Sequence, residues 1–142
     1  MSDGYDIIAY PGAELPAELR NLVLARWMRS LRYGNDYFRL MVPESFYASY
    51  QRFIDGLLAR PGSWVRLAVL SDDHDVVLGF CVLRWRLQGA TLDYVHVHKD
   101  QRRQGIAKRL IPPGVDIITH LTRTGLTIWG SKHPNWKFDP FA

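Results

Sequence analysis

With 142 residues, 47% of them apolar and 23% charged, the chain can bury a core without disulfides or metals, and one globular domain over residues 1–142 is expected. A lone cysteine, Cys81, excludes an internal disulfide and points to a reducing compartment, while the longest apolar run, residues 76–83, is too short for a bilayer. MSDGYDII lacks the pattern of a secretion signal, so the expectation is a soluble cytoplasmic protein with no membrane partner, whose net charge of +4 suits nucleic acid, an anionic cofactor or plain solubility.

An N-terminal segment, residues 1–13, carries a short apolar stretch at 5–10. PGAELP then reads as a turn into a helix, with Pro16 suited to the first helical position, where a missing N–H costs nothing. Leu15, Leu19, Val23, Trp27 and Leu31 recur every fourth residue, and Leu22 and Met28 widen the stripe into one buried face closed by Gly34. A second helix opens near Pro43, places Phe46, Tyr50, Phe53, Ile54 and Leu57 on one face, and ends at Arg60-Pro61-Gly62. That aromatic stripe reads as core rather than as a ligand platform.

From Ser63 the period changes. Residues 64–70 read as a strand, SDDHD (71–75) as a polar turn, 76–86 as a second strand, Gln88-Gly89 as a turn, and 91–98 as a third strand. In an unbroken third strand Leu92, Tyr94, His96 and His98 share one face, and Val95 and Val97 the other. A basic loop and a helix opening near Gly105 follow, and Pro112-Pro113 must break that helix. The spacing predicts a further helical piece over 115–121, a last strand over 126–129 and an irregular tail over 131–142. Strands in succession imply an antiparallel meander, and the strand–helix–strand unit implies one parallel pair. The fold class is therefore α/β, with a mixed, mostly antiparallel sheet flanked by helices.

The loop QRRQGIAKRL sits where a strand meets a helix N-terminus, where unpaired N–H groups and the helix dipole favour an anion. Gly105 admits close backbone approach, and small Ala107 keeps the next turn clear. Lys99, Arg102, Arg103, Lys108 and Arg109 crowd the same stretch, which a solvated basic turn would also do.

VHKDQRRQGIA, residues 97–107, ending in Leu110, resembles the acyl-CoA-binding motif of the GCN5-related N-acetyltransferases, in which a valine-ended strand leads into an R-x-x-G-x-G/A loop and a helix. VVLGFCVLRW is similar to that family's central strand, and the likeness covers roughly residues 15–130. The helix around Trp27-Met28-Arg29-Ser30 and the short tail look like small members of the family encoded by bacteriophages and prophages. The resemblance implies an acetyltransferase-like fold with a shortened C-terminal half, and acetyl-CoA as co-substrate. It further implies a pyrophosphate site at Arg102, Arg103, Gln104, Gly105, Ile106 and Ala107. Pantetheine would run along Val95 and Val97, in a splay between their strand and residues 126–129, with a backbone N–H there polarising the thioester carbonyl.

For acyl transfer, His96 is the foremost candidate base, since it lies on the cofactor strand with an ordinary pKa near about 6.5. Asp93 and His98 are the alternatives, and a polar sheet face with no catalytic part is the plain reading. The tyrosine that often protonates the thiolate in the family has no counterpart after Trp129. Trp129, His133 and Trp136 read as packing or as pocket lining, Asn135 as a turn residue and Cys81 as inert core. No ligand spacing supports a metal.

Three functions follow. The first is an acetyl-CoA-dependent N-acetyltransferase acting on a small-molecule or protein amine. The second is a non-catalytic, phage-associated module that retains CoA, placed in the host cytoplasm or the virion, as a homodimer or within a larger assembly. Nucleic-acid binding ranks last, because the basic loop already has a phosphate to hold.

Overall fold

A computed structural model describes residues 4–34, 36–98, 105–120 and 136–142, with the backbone alone at 36 and 37. In chain order these form β1 (Tyr5–Pro11), a 3-10 turn (Gly12–Glu14), α1 (Ala17–Gly34), α2 (Asp36–Arg39), α3 (Pro43–Ala59), β2 (Ser63–Leu70), β3 (Asp73–Trp85), β4 (Ala90–Val97), α4 (Ile106–Leu110), β5 (Val115–Ile118) and β6 (Lys137–Phe138). The strands make one mixed sheet in the order β1-β2-β3-β4-β5-β6, antiparallel as far as β4 and parallel from β4 to β6.

The predicted helices hold because each has one apolar stripe to bury. Val23, Trp27 and Leu31 of α1 and Phe46 and Ile54 of α3 are fully buried on one face of the sheet, against Val65, Leu67, Phe80, Val82 and Tyr94. Arg26 donates from Nη1 to the Val77 carbonyl at 2.7 Å and ties α1 to β3, and Arg20 pairs with Asp55 between the helices. The opposite face carries a second cluster, in which Cys81, Leu83, Leu92 and Ile118 meet Ile106 and Leu110 of α4. The sheet is thus covered on both sides, as the sequence led one to expect.

Four local expectations are corrected. Residues 5–10 belong to a full edge strand, β1, in register with β2 from Tyr5 opposite Leu70 to Pro11 opposite Trp64. The polar turn shrinks to Ser71-Asp72, because β3 already begins at Asp73.

The third correction concerns the segment read as helical over 115–121, which is the strand β5 over Val115–Ile118, parallel to β4. Once the prolines stop α4, a helix there would leave the outer backbone groups of β4 without partners. The β-branched run Val-Asp-Ile-Ile satisfies them instead. Fourth, the tail is not wholly irregular, because Lys137–Phe138 adds β6 beside Ile117 and Ile118. The expected strand at 126–129 lies outside the described residues.

Within β4 the faces also differ from an unbroken strand. Val82 pairs with Tyr94 and Leu83 with Leu92, so Asp93 is the extra residue of a β-bulge. The bulge breaks the two-residue period, sending Leu92 to the α4 side with Val95 and Val97 while Tyr94 packs under α1.

Candidate active site

β4 is where the two faces of the sheet come within reach of each other. Among the described residues β5 pairs with it over Ala90–Leu92, and the Thr119 N–H donates to the Leu92 carbonyl at 3.1 Å. Beyond that point half-buried Val95 and Val97 pack toward α4, while His96, also half-buried, sets its ring 5.6 Å from Phe80 on the other face. Gly79 makes this close fit possible, since a Cβ there would stand 2.7 Å from the His96 carbonyl oxygen and 3.2 Å from Val97 Cα.

Gly105 caps α4 with φ 77° and ψ 9°, a left-handed backbone that favours glycine. Among the described residues, nothing lies within 4 Å of where a Cβ on Gly105 would point. Ile106 is buried as the anchor of that turn, Ala107 is half-buried, and Lys108 and Arg109 are exposed. Arg109 is already engaged, with its guanidinium 4.9 Å from the Tyr5 ring centroid and its carbonyl accepting from Arg66 at 3.1 Å. Lys99, Arg102, Arg103 and Gln104 lie outside the described residues, as do Trp129, His133 and Asn135. The left-handed glycine and the helix start behind it fit the phosphate-binding part of an acyl-CoA.

Asp93 stands in a different setting from the other candidates. Its side chain is fully buried and accepts from Arg84 through Nε at 2.8 Å and Nη2 at 2.9 Å, a two-pronged ion pair. Thr119 Oγ1 donates to Asp93 Oδ1 at 3.0 Å, and Arg84 Nη2 reaches the Ala142 backbone oxygen at 2.9 Å. One carboxylate therefore braces β3, the bulge of β4, the end of β5 and the tail.

The next residue, His120, opens onto a cavity of about 200 Å3 between the helices and the end of the sheet. Its walls, among the described residues, are Leu31, Phe38, Tyr50 and Phe53 from the helices and Phe138 and Pro140 from the tail. The imidazole meets Trp27, Tyr50, Phe53 and Tyr94, mostly edge-on, with centroids between 5.6 and 6.2 Å away. Burial among these rings lowers its pKa below the ordinary 6.5, although the Asp93 charge and carbonyl pull the other way. Tyr50, half-buried in the same wall, is pushed up to about 12 by desolvation. Tyr94 stacks on Trp27 at 5.0 Å and shares a hydrogen bond of 2.7 Å between its hydroxyl and Ser30 Oγ.

Sequence reasoning missed Thr119 and His120 because it made 115–121 helical. The alternation of Val115, Ile117 and Thr119 after a proline pair was the signal for a strand that would end beside β4. The aromatic stripe of α3 is divided: Phe46 is core, whereas half-buried Tyr50 and 42% exposed Phe53 line the cavity. Cys81 is fully buried, donates weakly to the Leu110 carbonyl at 3.5 Å, and has its thiol pushed up to about 12, which makes it inert. Half-buried Trp136 packs on the α4 side of the sheet. No helix among the described residues is long and apolar enough to cross a membrane.

Comparison with known proteins gives this geometry a setting. A GCN5-related N-acetyltransferase from Ralstonia eutropha JMP134 superimposes with a TM-score of 0.61 at 14% identity, over 89% of this chain and 90% of that one. A candidate acetyltransferase from Bacillus subtilis gives 0.61 at 14% identity, over 88% and 87%. A candidate acetyl transferase from Pyrococcus furiosus gives 0.53 at 18% identity, over 95% and 80%. At these identities the likeness is one of fold. No curated protein sequence matches. The profile of the acetyltransferase (GNAT) family matches residues 22–125, which take in α1, the bulged strand, Gly105 and His120. The chain therefore belongs to the GNAT family, whose members transfer acetyl groups from acetyl-CoA to amines.

Proposed function

We propose that the chain is an acetyl-CoA-dependent N-acetyltransferase that passes the acetyl group directly to a bound amine, working as a single domain in the cytoplasm. The observation that carries this reading is the left-handed Gly105 at the start of α4, which links β4 to the parallel strand β5. Acetyl-CoA supplies the acetyl group as a thioester, whose C–S bond breaks with the pair left on sulfur as the amine forms the new C–N bond.

On this reading Arg102, Arg103 and Gln104, with the N–H groups of Gly105, Ile106 and Ala107, hold the pyrophosphate. Val95 and Val97 guide the pantetheine arm, and a main-chain N–H near Val95 to Val97 polarises the thioester carbonyl, a contribution of about 10²–10³ in rate where such donors have been removed. The splay that admits the arm is the one between β4 and residues 126–129, which lie outside the described residues. Two imidazoles, His96 and His120, stand on the face from which an amine would approach. Asp93, with both oxygens taken up by Arg84 and Thr119, acts on this reading as a positioning residue and not as a base.

Calorimetric titration tests the reading directly. Acetyl-CoA and CoA should bind saturably, and Gly105→Val should weaken both by about 10-fold or more, equivalent to about 1.4 kcal/mol. Absence of binding at millimolar ligand would sink it.

A second reading, a non-catalytic and phage-associated module holding CoA together with a protein partner or a second copy, draws on Tyr94. This tyrosine is buried with its hydroxyl bonded to Ser30, which keeps it from serving as the acid. CoA binding without transfer across a broad amine panel would be its signature.

A further inference from the structure

The cavity beside His120 also carries information about the acceptor. Its walls supply hydrocarbon and aromatic surface, and no carboxylate lines it among the described residues. Asp93, behind Thr119, is already engaged by Arg84 and Thr119. A polyamine or an aminoglycoside brings several cations and would need several carboxylates; here it would lose hydration for nothing. By contrast, a cavity of about 150 Å3 is known to hold one benzene ring, so about 200 Å3 leaves room for a ring and a short arm.

The polar end of the cavity is set by a short chain of hydrogen bonds. The Asp93 carboxylate can only accept, so the single proton of Thr119 Oγ1 is directed to Oδ1 at 3.0 Å. The same oxygen lies 2.9 Å from His120 Nδ1 and must therefore accept from it. That fixes the tautomer. Nδ1 carries the hydrogen, and Nε2, which has no hydrogen-bond partner among the described residues, is left as a bare acceptor on the cavity wall.

We infer that the acceptor is a primary amine borne on one apolar ring or a hydrocarbon of similar size, seated in this cavity with its nitrogen at His120 Nε2. The proposal rests on the acetyltransferase reading and deepens it. As the C–N bond forms, the nitrogen sheds a proton to Nε2, the imidazolium returns it to solvent, and the departing thiolate takes one from solvent. Ionisable groups that face the imidazole are Asp93 and Tyr94 of β4, Arg84 of β3 and Tyr50 of α3; α1 offers it only the Trp27 ring.

Steady-state transfer from acetyl-CoA to 2-phenylethylamine, spermidine and a lysine peptide provides the test. The aromatic amine should show a kcat/KM about 10-fold or more above the others, the discrimination one apolar pocket supplies. His120→Gln should lower kcat by about 10²-fold or more and abolish the acid limb of its pH profile, with acetyl-CoA affinity kept. His96→Gln should retain that limb. Phe53→Ala and Phe138→Ala, at 42% and 43% exposed rim positions that tolerate truncation, should raise KM for the aromatic amine and spare acetyl-CoA binding. They decide the matter if His120→Gln does not fold.

Preference for spermidine or the peptide overturns the inference, as does an acid limb that survives in His120→Gln. Loss of acetyl-CoA binding removes the acetyltransferase reading along with it. Saturable acetyl-CoA binding with no response of the His120 imidazole NMR signals to 2-phenylethylamine removes the inference alone.

Discussion

The antiparallel and parallel halves of the sheet are held together by different means. From β1 to β4 the ladders are long, and both faces are apolar, with Val65, Leu67, Phe80 and Val82 on one and Cys81 and Leu83 on the other, all fully buried. From β4 to β6 the pairing among the described residues covers three residues and then two, and polar contacts add to the join. Arg84 clamps Asp93, Thr119 bonds Asp93, and the Asp139 N–H donates to the Ile118 carbonyl at 2.9 Å. Burial of apolar surface spreads its contribution over many residues, whereas a polar brace concentrates it in a few. The half joined by polar contacts is also the half that holds the cavity, so the candidate chemistry sits beside the brace.

That contrast is broken most severely at the brace. Arg84→Met removes one partner of a buried pair and leaves the Asp93 charge uncompensated, at an expected cost of about 3–5 kcal/mol in urea unfolding. Pairing it with Asp93→Leu should recover most of the loss, because the uncompensated charge goes with the substitution. A single substitution costing under about 1 kcal/mol, the range of an exposed pair, would show that the two halves are not held in this way.

The next largest effect tests the antiparallel half at the place where it meets the site. Gly79→Ala would set a Cβ 2.7 Å from the His96 carbonyl oxygen, a backbone atom that can move only with its strand. Overpacking of this kind costs about 1–3 kcal/mol. It should displace Val95 to Val97 as well, so acetyl-CoA affinity is expected to fall together with stability. A variant that loses neither would mean that β3 and β4 have slack there.

How far this division could be read from sequence follows from the same physics. α1 and α3 were legible because each repeats its apolar residues at helical spacing, and β2 to β4 because tight turns separate β-rich runs. Gly105 was legible because a glycine between strand and helix has few other uses. The bulge was not legible: Asp93 looks like any alternating strand residue until Leu83 is seen to pair with Leu92. β5 was lost because four residues are too few for periodicity to separate helix from strand, and its existence depends on the edge of β4. His120 was lost with it, and so was the cavity. Arg84 read as a surface alternation beside Trp85, since nothing local shows that its partner is buried.

Gly105→Ala sharpens the contrast from the side of the loop. A left-handed backbone costs an ordinary residue about 1–2 kcal/mol, and a Cβ there would meet nothing among the described residues within 4 Å, so the expected penalty is that strain. Because α4 is a single short helix, the loss should show as fraying of Ile106 and Leu110 in hydrogen exchange more than as a lower global stability. Equal protection in both variants would place the conformational demand elsewhere.

The smallest effect is a pH dependence, and its sign is fixed by burial. His120 has its folded pKa below the ordinary 6.5 of the unfolded chain. Above 6.5 both states hold the imidazole neutral and the group contributes no slope. As the pH falls below 6.5 the unfolded state takes up a proton that the native state declines, so stability drops until the pH passes the folded pKa, below which both are protonated. Asp6, lowered by its hydrogen bond to His74, acts at more acidic pH and leaves this window clear. Urea unfolding between pH 7.5 and pH 5 should therefore show a decline in the native chain that His120→Gln flattens. A decline of equal size in the variant would move the responsible proton away from the cavity, and with it the argument that the parallel half keeps its imidazole neutral for use.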